Sequence, residues 1–249
     1  MEPHKLERLE EIISNGYEFN TFDYLSKGYD IFRQNMGGFV GFILVMGAVN
    51  FIADLIPILG DLAFTLVLCP VLSVGPYIVA HKIYKRETHE FADFFKGTDY
   101  LKELVIFTAV TMAVSLFFGL PFAGVYYDLY FGEPMNILQE SFSPFSFLIF
   151  IPLIYLIVSW SWSSLFIVFY KMNFWDAMEM SRKIIMKNWL QYFFFLIVLG
   201  FTTVSGAILL LVGMLFTIPI VFCAQYVAFA EITELLNDDE DDLERHLIV

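Results

Sequence analysis

Few residues of this chain combine a reactive side chain with the spacing that a catalytic or metal site requires. The two cysteines, Cys69 and Cys223, lie inside apolar runs and form no C-x-x-C pair, which is typical of small buried thiols. The four histidines are scattered and form neither an H-x-x-x-H nor an H-E-x-x-H pattern: His4, His81, His89 and His246. No phosphate-binding glycine loop and no G-x-S-x-G motif is present. The sequence therefore predicts no catalytic residue, no metal ligand, no bound cofactor and no enzyme.

Asp54 is the one acidic residue that could lie within a membrane span, because it directly follows the apolar run Met36–Ala53. Because a charge in a bilayer is costly, such a residue is a functional hypothesis by default. Asp54 lies about one turn before the corner at Pro57, and this position favours helix capping or solvation at the membrane surface. The other interpretation is a substrate or proton site, in which Asn50, one turn earlier on the same face, joins Asp54 to line a shallow outer pocket.

A row of small polar residues, Ser159, Ser163 and Ser164, lies in another apolar segment. Small side chains let helix backbones approach each other, so this row favours close helix packing over a solute pathway. Large aromatic residues near the basic loop that begins at Lys171 fit an aromatic belt at the membrane surface: Trp160, Trp162, Trp175, Trp189 and Tyr170. Trp160 and Trp162 could also pack deeper in the bundle.

Long apolar runs must position these residues. The uncharged stretches are Met36–Ala53, Leu62–Ala80, Leu104–Tyr127, Ser141–Tyr170 and Asn188–Ala230. The last has 43 residues, roughly 65 Å of helix at ~1.5 Å per residue, about twice a hydrocarbon core of ~30 Å. It must therefore form two spans, and Gly206 and Gly213 bracket the expected turn. The sequence predicts an all-α, integral membrane six-helix bundle.

Charge is distributed unevenly between the two sides of this bundle. With six spans, all 14 Lys and Arg residues fall in loops on one side, and the opposite loops carry only acids. Since Lys and Arg are enriched on the cytoplasmic side, both termini are expected in the cytoplasm. A hydrophobic content of 58% excludes an ordinary soluble domain, and a net charge of −13 argues against a nucleic-acid partner.

Short helices are expected on the basic side. His4–Asn15 has a helical apolar pattern that ends at Gly16, and Thr21–Gln34 follows with Asn20 as its cap. The second helix carries an apolar stripe that we expect at the membrane surface: Phe22, Leu25, Tyr29 and Phe32. A third short helix is predicted at Thr88–Phe95, with Thr88 as cap and Gly97 as stop. Within the spans, Pro70 and Pro76 predict a kink.

The second half of the chain partly repeats the first. At an offset of 153 residues, Asn20 matches Asn173, Asp23 matches Asp176, Asn35 matches Asn188 and Gly60 matches Gly213. These positions have structural meaning as helix caps, membrane entry and hairpin turn. We predict a parallel internal repeat, each unit being an interfacial helix plus a two-span hairpin, with a central two-span hairpin between the units.

Several of these segments resemble a known group of proteins. The segments that carry the resemblance are F-D-Y-L-S-K-G-Y-D-I-F-R-Q-N at 22–35, I-P-I-L-G at 56–60, G-P-Y at 75–77 and F-W-D-A-M-E-M-S-R-K at 174–183. They are similar to uncharacterised bacterial inner-membrane proteins related to the membrane domain of some glycerophosphodiester phosphodiesterases and to YciC-like proteins. The resemblance covers about residues 20–232 and implies a six-helix bundle in the bacterial cytoplasmic (inner) membrane. It implies no catalytic residues, because the phosphodiesterase barrel is missing.

These observations divide the chain into three parts. Residues 1–35 form cytoplasmic N-terminal and interfacial helices, 36–232 the six-span membrane domain, and 233–249 an acidic cytoplasmic tail. The expected partners are the lipid bilayer and proteins that contact the interfacial helices or the tail. We predict a non-enzymatic scaffold, assembly or envelope-homeostasis factor; the alternative is a small-solute transporter or channel.

Overall fold

The computed structural model describes residues 3–119, 150–208 and 212–236, and these ranges are helical without strands. Six helical segments are long and apolar enough to cross a membrane, which indicates a multi-pass membrane protein. We number them as spans 1 to 6: Met36–Asp54, Leu59–Tyr84, Phe91–Gly119, Ile151–Phe169, Trp189–Ile208 and Met214–Ile232. The predicted outer loop, the outer end of span 3 and the acidic tail from Asn237 lie outside the described residues.

The helices follow one another with few intervening residues. The first half contains α1 Pro3–Asn15, α2 Thr21–Gln34, α3 Met36–Asp54, α4 Leu59–Ala63, a π-helix Phe64–Leu68, α5 Cys69–Ser73 and α6 Gly75–Tyr84. A 3₁₀ helix Phe91–Tyr100 then leads into α7 Leu101–Gly119. The remainder contains α8 Phe150–Ser159, α9 Ser163–Phe169, α10 Phe174–Lys187, α11 Trp189–Ile208 and α12 Met214–Ile232.

Three short helices each lead directly into a long apolar helix, and we call them the entry helices: α2 before α3, the 3₁₀ helix Phe91–Tyr100 before α7 (together these two make up span 3), and α10 before α11. Asn20 and Asn173 cap α2 and α10 by accepting hydrogen bonds from Asp23 N and Asp176 N, at 3.3 and 2.9 Å. The predicted cap at Asn20 and the bounds of α2 are confirmed. The stop at Gly16 is confirmed as well, with φ +75°, since glycine adopts this conformation without a Cβ penalty.

The third entry helix differs from its prediction. Glu90, not Thr88, caps it, and the Asp93 carboxylate accepts a hydrogen bond from Glu90 N at 2.8 Å. Gly97 lies inside this helix and does not end it. The reason is tertiary: a Cβ on Gly97 would overlap the carbonyl oxygen of Val71, so the glycine allows the entry helix to pack against span 2. Asp93 also pairs with Lys82 at 2.8 Å, which ties the helix to the end of that span.

Each entry helix packs against the second span of a hairpin. Helix α2 packs along span 6, the 3₁₀ helix packs against α5 and α6 of span 2, and α10 packs against α8 and α9 of span 4. A small residue lies at each contact: Gly28 against Ala224, Gly97 against Val71, and Ser181, whose hydroxyl donates to Ser159 O at 2.7 Å. The three hairpins are therefore joined through their entry helices on the side of the basic loops.

Aromatic rings fill the core between these helices. Phe94 of the 3₁₀ helix stacks on Phe42 of span 1, with ring centroids 4.8 Å apart. Trp162 contacts Tyr192 and Phe229 edge-on, with centroids 5.0 and 5.7 Å apart. All five side chains are fully buried, and edge-to-face pairs add to the stabilisation from burial.

The apolar stripe predicted on α2 does not form a single lipid-facing surface. Phe22 and Tyr29 are exposed, at 66% and 46%, whereas Phe32 is buried at 1% and Leu25 packs partly against the core. The buried face of α2 instead includes Tyr24 and Gly28. A Cβ on Gly28 would lie 2.5 Å from Ala224 N, so its absence lets the helix turn this face toward span 6.

Spans 2 and 4 are interrupted helices. In span 2 a π-helix precedes Pro70 and a further break falls at Val74, before Pro76, so the helix is locally broken near both prolines. Span 4 is interrupted between α8 and α9 at residues 160–162.

Candidate functional site

Polar side chains from four spans meet inside the bundle, and we call this group the polar core. The Tyr77 hydroxyl donates to Gln225 Oε1 at 2.7 Å, and Gln225 Nε2 donates to the Tyr192 hydroxyl at 3.5 Å. The Tyr192 hydroxyl also shares a hydrogen bond of 2.5 Å with Ser161 Oγ. Spans 2, 6, 5 and 4 thus each contribute one member to a connected chain of hydrogen bonds.

A second polar contact joins spans 2 and 6, one turn further along span 2 and at the next residue of span 6. The Tyr226 hydroxyl and His81 Nδ1 are 2.7 Å apart, and the His81 ring also packs on Phe169 with centroids 4.9 Å apart. Tyr226 is fully buried. Because buried polar groups are costly without partners, these contacts stabilise the packing of span 2 on span 6.

An ionic cluster closes the same seam where span 6 ends. Lys27 of α2 pairs with Asp23 at 2.6 Å and with Glu231 at 2.7 Å. The Tyr84 hydroxyl donates to the same Glu231 oxygen at 2.8 Å. The hydrogen bond to Asp23 contributes most to raising the pKa of the Lys27 ammonium, and the hydrogen bond to Glu231 raises it further. A raised pKa means that the pairing stabilises the fold at neutral pH and is lost only as the pH rises through that raised pKa.

Two polar atoms beside the polar core have no hydrogen-bond partner among the described residues. They are the indole nitrogen of Trp162 and the hydroxyl of Ser163, and both residues are fully buried. Such groups in a close-packed interior are exceptions to the usual pairing of buried polar atoms. They lie in the turn and first residue of α9, where the interruption of span 4 has removed regular helix geometry.

The chemistry available to the polar core is hydrogen bonding. Tyrosine, glutamine and serine donate and accept hydrogen bonds but supply no carboxylate nucleophile or strong base at neutral pH. Within residues 3–119, 150–208 and 212–236, no three His, Cys, Asp or Glu side chains are close enough to hold a metal ion. This arrangement suits structural cohesion or recognition of an uncharged polar group.

Three of the clefts among the described residues lie around this packed region. A cleft of about 260 Å³ between spans 3 and 4 includes Thr111, Ser115 and Ser161 in its lining. A groove of about 650 Å³ between α1 and α10 combines apolar residues such as Ile13 with charged ones such as Lys183. The third, of about 500 Å³, lies between spans 4 and 5 beside α10 and has an entirely apolar exposed lining.

The structure separates the residues that the sequence singled out. Asp54 is exposed at the last residue of α3, where its carboxyl approaches that of Asp61, and Asn50 is half-buried. Neither residue lines the three clefts described above. This placement agrees with solvation of Asp54 at the end of its helix.

The serine row lies where helices pack closely. Ser159 and Ser163 are fully buried, and Ser159 O accepts the hydrogen bond from Ser181 of α10. Cys223 is buried and Cys69 partly buried, and neither is in a disulfide. Of the predicted belt, Trp162 and Tyr170 are buried in the core, whereas Trp175 is 61% exposed.

Sequence reasoning missed the polar core because its members are far apart in the chain. Gln225 and Tyr192 are separated by 33 residues, and Tyr77 and Gln225 by 148. One signal was available: Gln225 is an amide within the apolar segment Asn188–Ala230, and a polar residue there needs a partner.

No protein-family model, no curated protein and no solved structure matches this chain. The function must therefore be argued from the arrangement of its own residues.

Proposed function

We propose that this chain is a non-enzymatic membrane protein that acts as a scaffold or assembly factor in the bacterial cell envelope. We call the side of the bundle that holds the basic loops its base. The main support for the proposal is that each entry helix in this base packs against the second span of another hairpin. The polar residues at its centre hydrogen-bond one another and lie among fully buried aromatic rings such as Phe229. A base packed in this way supports binding to its outer surface better than passage of a solute through it.

The groove between α1 and α10 is the surface that best supports a protein partner. Apolar side chains in it include Leu6 and Met180, and Glu10, Asp176 and Lys183 add charges of both signs. A partner segment with an apolar stripe and mixed flanking charges would match such a surface, as helix-in-groove complexes do.

Photocrosslinking in native membranes tests this proposal. A photoreactive amino acid at Trp175, which lines the groove and is 61% exposed, should capture one protein reproducibly. The matched position is Phe22, an aromatic residue of α2 that is 66% exposed and lies outside the groove. Capture of the same protein from both positions, or from neither, would contradict a scaffold role for this groove.

The proposal places the chain in the cytoplasmic membrane with both termini in the cytoplasm. Its support is the distribution of charge: all 14 Lys and Arg residues lie on one side of a six-span arrangement. The entry helices carry several of these cations, including Lys27, Lys96 and Lys183. We therefore assign the side of the entry helices to the cytoplasm.

We further propose that the bundle is a parallel repeat of three units, each an entry helix followed by a hairpin. The caps support it: Asn35 and Asn188 have nearly the same backbone angles, φ −140° and −130° with ψ 46° and 45°. At the hairpin turns, a Cβ on Gly60 would meet Ala53 O and a Cβ on Gly213 would meet Gly206 O. These four residues match at the offset of 153 found in the sequence.

The unit between these two supplies the third copy. Its entry helix begins at Phe91, after the cap Glu90, and has an Asp at the third helical position, as α2 and α10 do: Asp23, Asp93 and Asp176. The residue that follows each Asp is buried in all three helices: Tyr24, Phe94 and Ala177. In this arrangement each hairpin packs against the entry helix of the next unit, and the third hairpin packs against the entry helix of the first unit. The three units therefore form a closed ring.

The polar core favours a second candidate function, a small-solute transporter or channel. A pathway requires polar side chains from several spans to face one route, and Tyr77, Ser161, Tyr192 and Gln225 come from four spans. Ser161 also lines the cleft between spans 3 and 4. Flux of uncharged polar solutes into liposomes that contain the purified protein tests this candidate. Uptake that Gln225→Leu abolishes would replace the scaffold proposal.

A further inference from the structure

The three junctions between neighbouring hairpins are not equally filled. Span 2 packs along span 3, and span 6 packs along span 1. Within the described ranges, spans 4 and 5 instead meet through side chains, at the contacts of Trp162 and Ser161 with Tyr192. Beside these contacts lies the apolar cleft of about 500 Å³, a volume in the range of small-molecule sites, roughly 300–1,000 Å³.

The lining of this cleft matches hydrocarbon. Ile151 and Ile154 come from span 4, Met186 from α10, and Trp189 and Phe193 from span 5, with Tyr155 completing the wall. Trp189 and Phe193 are stacked with centroids 5.1 Å apart and an interplanar angle of 6°, which makes one continuous flat surface. The indole nitrogen of Trp189 is buried without a hydrogen-bond partner among the described residues.

Cations lie close in sequence to Met186, the residue that α10 contributes to the cleft, although Lys183 also lines the groove between α1 and α10. Arg182 and Lys183 precede Met186 by four and three residues, so helical spacing places them on either side of it. The Arg182 guanidinium also lies near the Tyr155 hydroxyl, which belongs to the cleft wall. Glu179 neutralises part of this charge through contacts at 2.7 Å to Arg182 and 3.7 Å to Lys183. Lys187 is exposed and makes no ion pair within the described residues.

We propose that this cleft is a binding site for an anionic phospholipid, with an acyl chain between spans 4 and 5 and the phosphate beside Lys183 and Lys187. The inference rests on the proposed membrane insertion, and it adds a specific lipid to the general bilayer contact. Apolar lining selects a hydrocarbon chain, and the cations at one end select a negatively charged headgroup over a zwitterionic one. The bound lipid fills the cleft that the described residues form between spans 4 and 5.

Native mass spectrometry and photolabelling test the site. Protein is reconstituted into nanodiscs of phosphatidylcholine and phosphatidylglycerol in equal parts, with a photoreactive group on the phosphatidylglycerol acyl chain. The wild-type protein should carry phosphatidylglycerol adducts on Ile154, Met186 or Phe193. Adducts spread evenly over exposed residues of all spans would overturn the proposal without any variant being needed.

Two variants separate the acyl-chain subsite from the headgroup subsite. Ile154→Trp fills the cleft and should lower retained phosphatidylglycerol at least tenfold. Its matched control is Leu190→Trp, a change at a 75% exposed position of span 5 outside the cleft, which should leave retention unchanged. Lys183→Gln combined with Lys187→Gln should remove the preference for phosphatidylglycerol while phosphatidylcholine is still retained. Equal retention in Ile154→Trp and Leu190→Trp contradicts the site.

Failure of the site and failure of the proposed function give different results. Carbonate extraction of native membranes reports insertion separately: release of the wild-type protein into the soluble fraction would contradict the membrane assignment itself. Retention in the membrane together with equal lipid binding by all variants would contradict only the lipid site.

Discussion

Gly28 shows how one missing side chain sets a helix contact. Its backbone lies so close to Ala224 that a Cβ would be 2.5 Å from a backbone nitrogen, whereas Gly47 in span 1 has no atom within 4 Å of the corresponding point. Gly28 is therefore required for close helix packing, whereas Gly47 has room for a larger side chain.

Gly28→Ala should therefore destabilise the protein, and Gly47→Ala should not. We expect a loss of about 1–3 kcal/mol at Gly28, because the clash involves backbone that cannot move aside easily. The apparent melting temperature of the purified protein in detergent measures the difference. Equal melting temperatures for the two variants would mean that α2 does not pack on span 6 as described.

Tyr192 supports a second residue-level prediction. Its hydroxyl contacts both Ser161 and Gln225, so Tyr192→Phe removes a partner from two half-buried polar groups. We expect a loss of about 0.5–1.5 kcal/mol with unchanged membrane insertion. Phe194→Leu, at a 49% exposed position of the same span, is the control and should have little effect. An unchanged melting temperature for Tyr192→Phe would show that the polar core does not stabilise the bundle.

Asp54 is the residue for which sequence and structure make the same prediction. Since its side chain is exposed at the end of α3, Asp54→Asn should leave folding, insertion and any cellular phenotype intact. Growth of a deletion strain complemented with the variant, together with its level in membranes, checks this expectation. Proton- or sodium-driven uptake by reconstituted protein that Asp54→Asn abolishes would contradict the scaffold proposal and make the region near Asn50 the site of interest.

At the scale of the element, the entry helices combine a polar cap with one apolar face. The caps at Asn20 and Asn173 satisfy backbone groups that have no partner within the helix. Their buried faces contact other hairpins, and their exposed faces carry residues such as Phe22 and Trp175. An element of this kind suits the boundary between bundle, lipid and water.

Spin labelling tests where the exposed face of α2 lies. The sequence alone suggested position 25 for a lipid-exposed label, but Leu25 packs partly against the core, so Phe22 is the better position. A label at 22 should be accessible to oxygen and poorly accessible to a polar nickel reagent, since oxygen partitions into lipid. The reverse pattern would place this face of α2 in water or against another protein.

At the scale of the whole molecule, the arrangement predicts opposite sides for the entry helices and the outer loop. Single cysteines at Glu90 and Asn136, in a variant that lacks Cys69 and Cys223, should label oppositely. An impermeant thiol reagent added outside intact cells should reach position 136 and not position 90. Labelling of both positions, or of position 90 alone, would contradict the six-span topology.

The sequence by itself determined the class of this protein and the bounds of several helices. Apolar run length is a local property, and so are the cap at Asn20 and the stop at Gly16, because each depends on residues a few positions apart. For this reason the six apolar segments, α1 and α2 agree with their predictions.

Tertiary structure alone decided which faces are buried. The stripe on α2 was predicted from hydrophobicity, yet the close contact of Gly28 with Ala224 buries Phe32 and leaves Phe22 exposed. Gly97 looked like a helix stop and is a contact residue against span 2. The polar core joins residues up to 148 positions apart. No local sequence pattern predicts which spans pack against each other. In an apolar environment most faces of a span are equally hydrophobic, so small residues and buried hydrogen bonds, rather than hydrophobic periodicity, choose the partners.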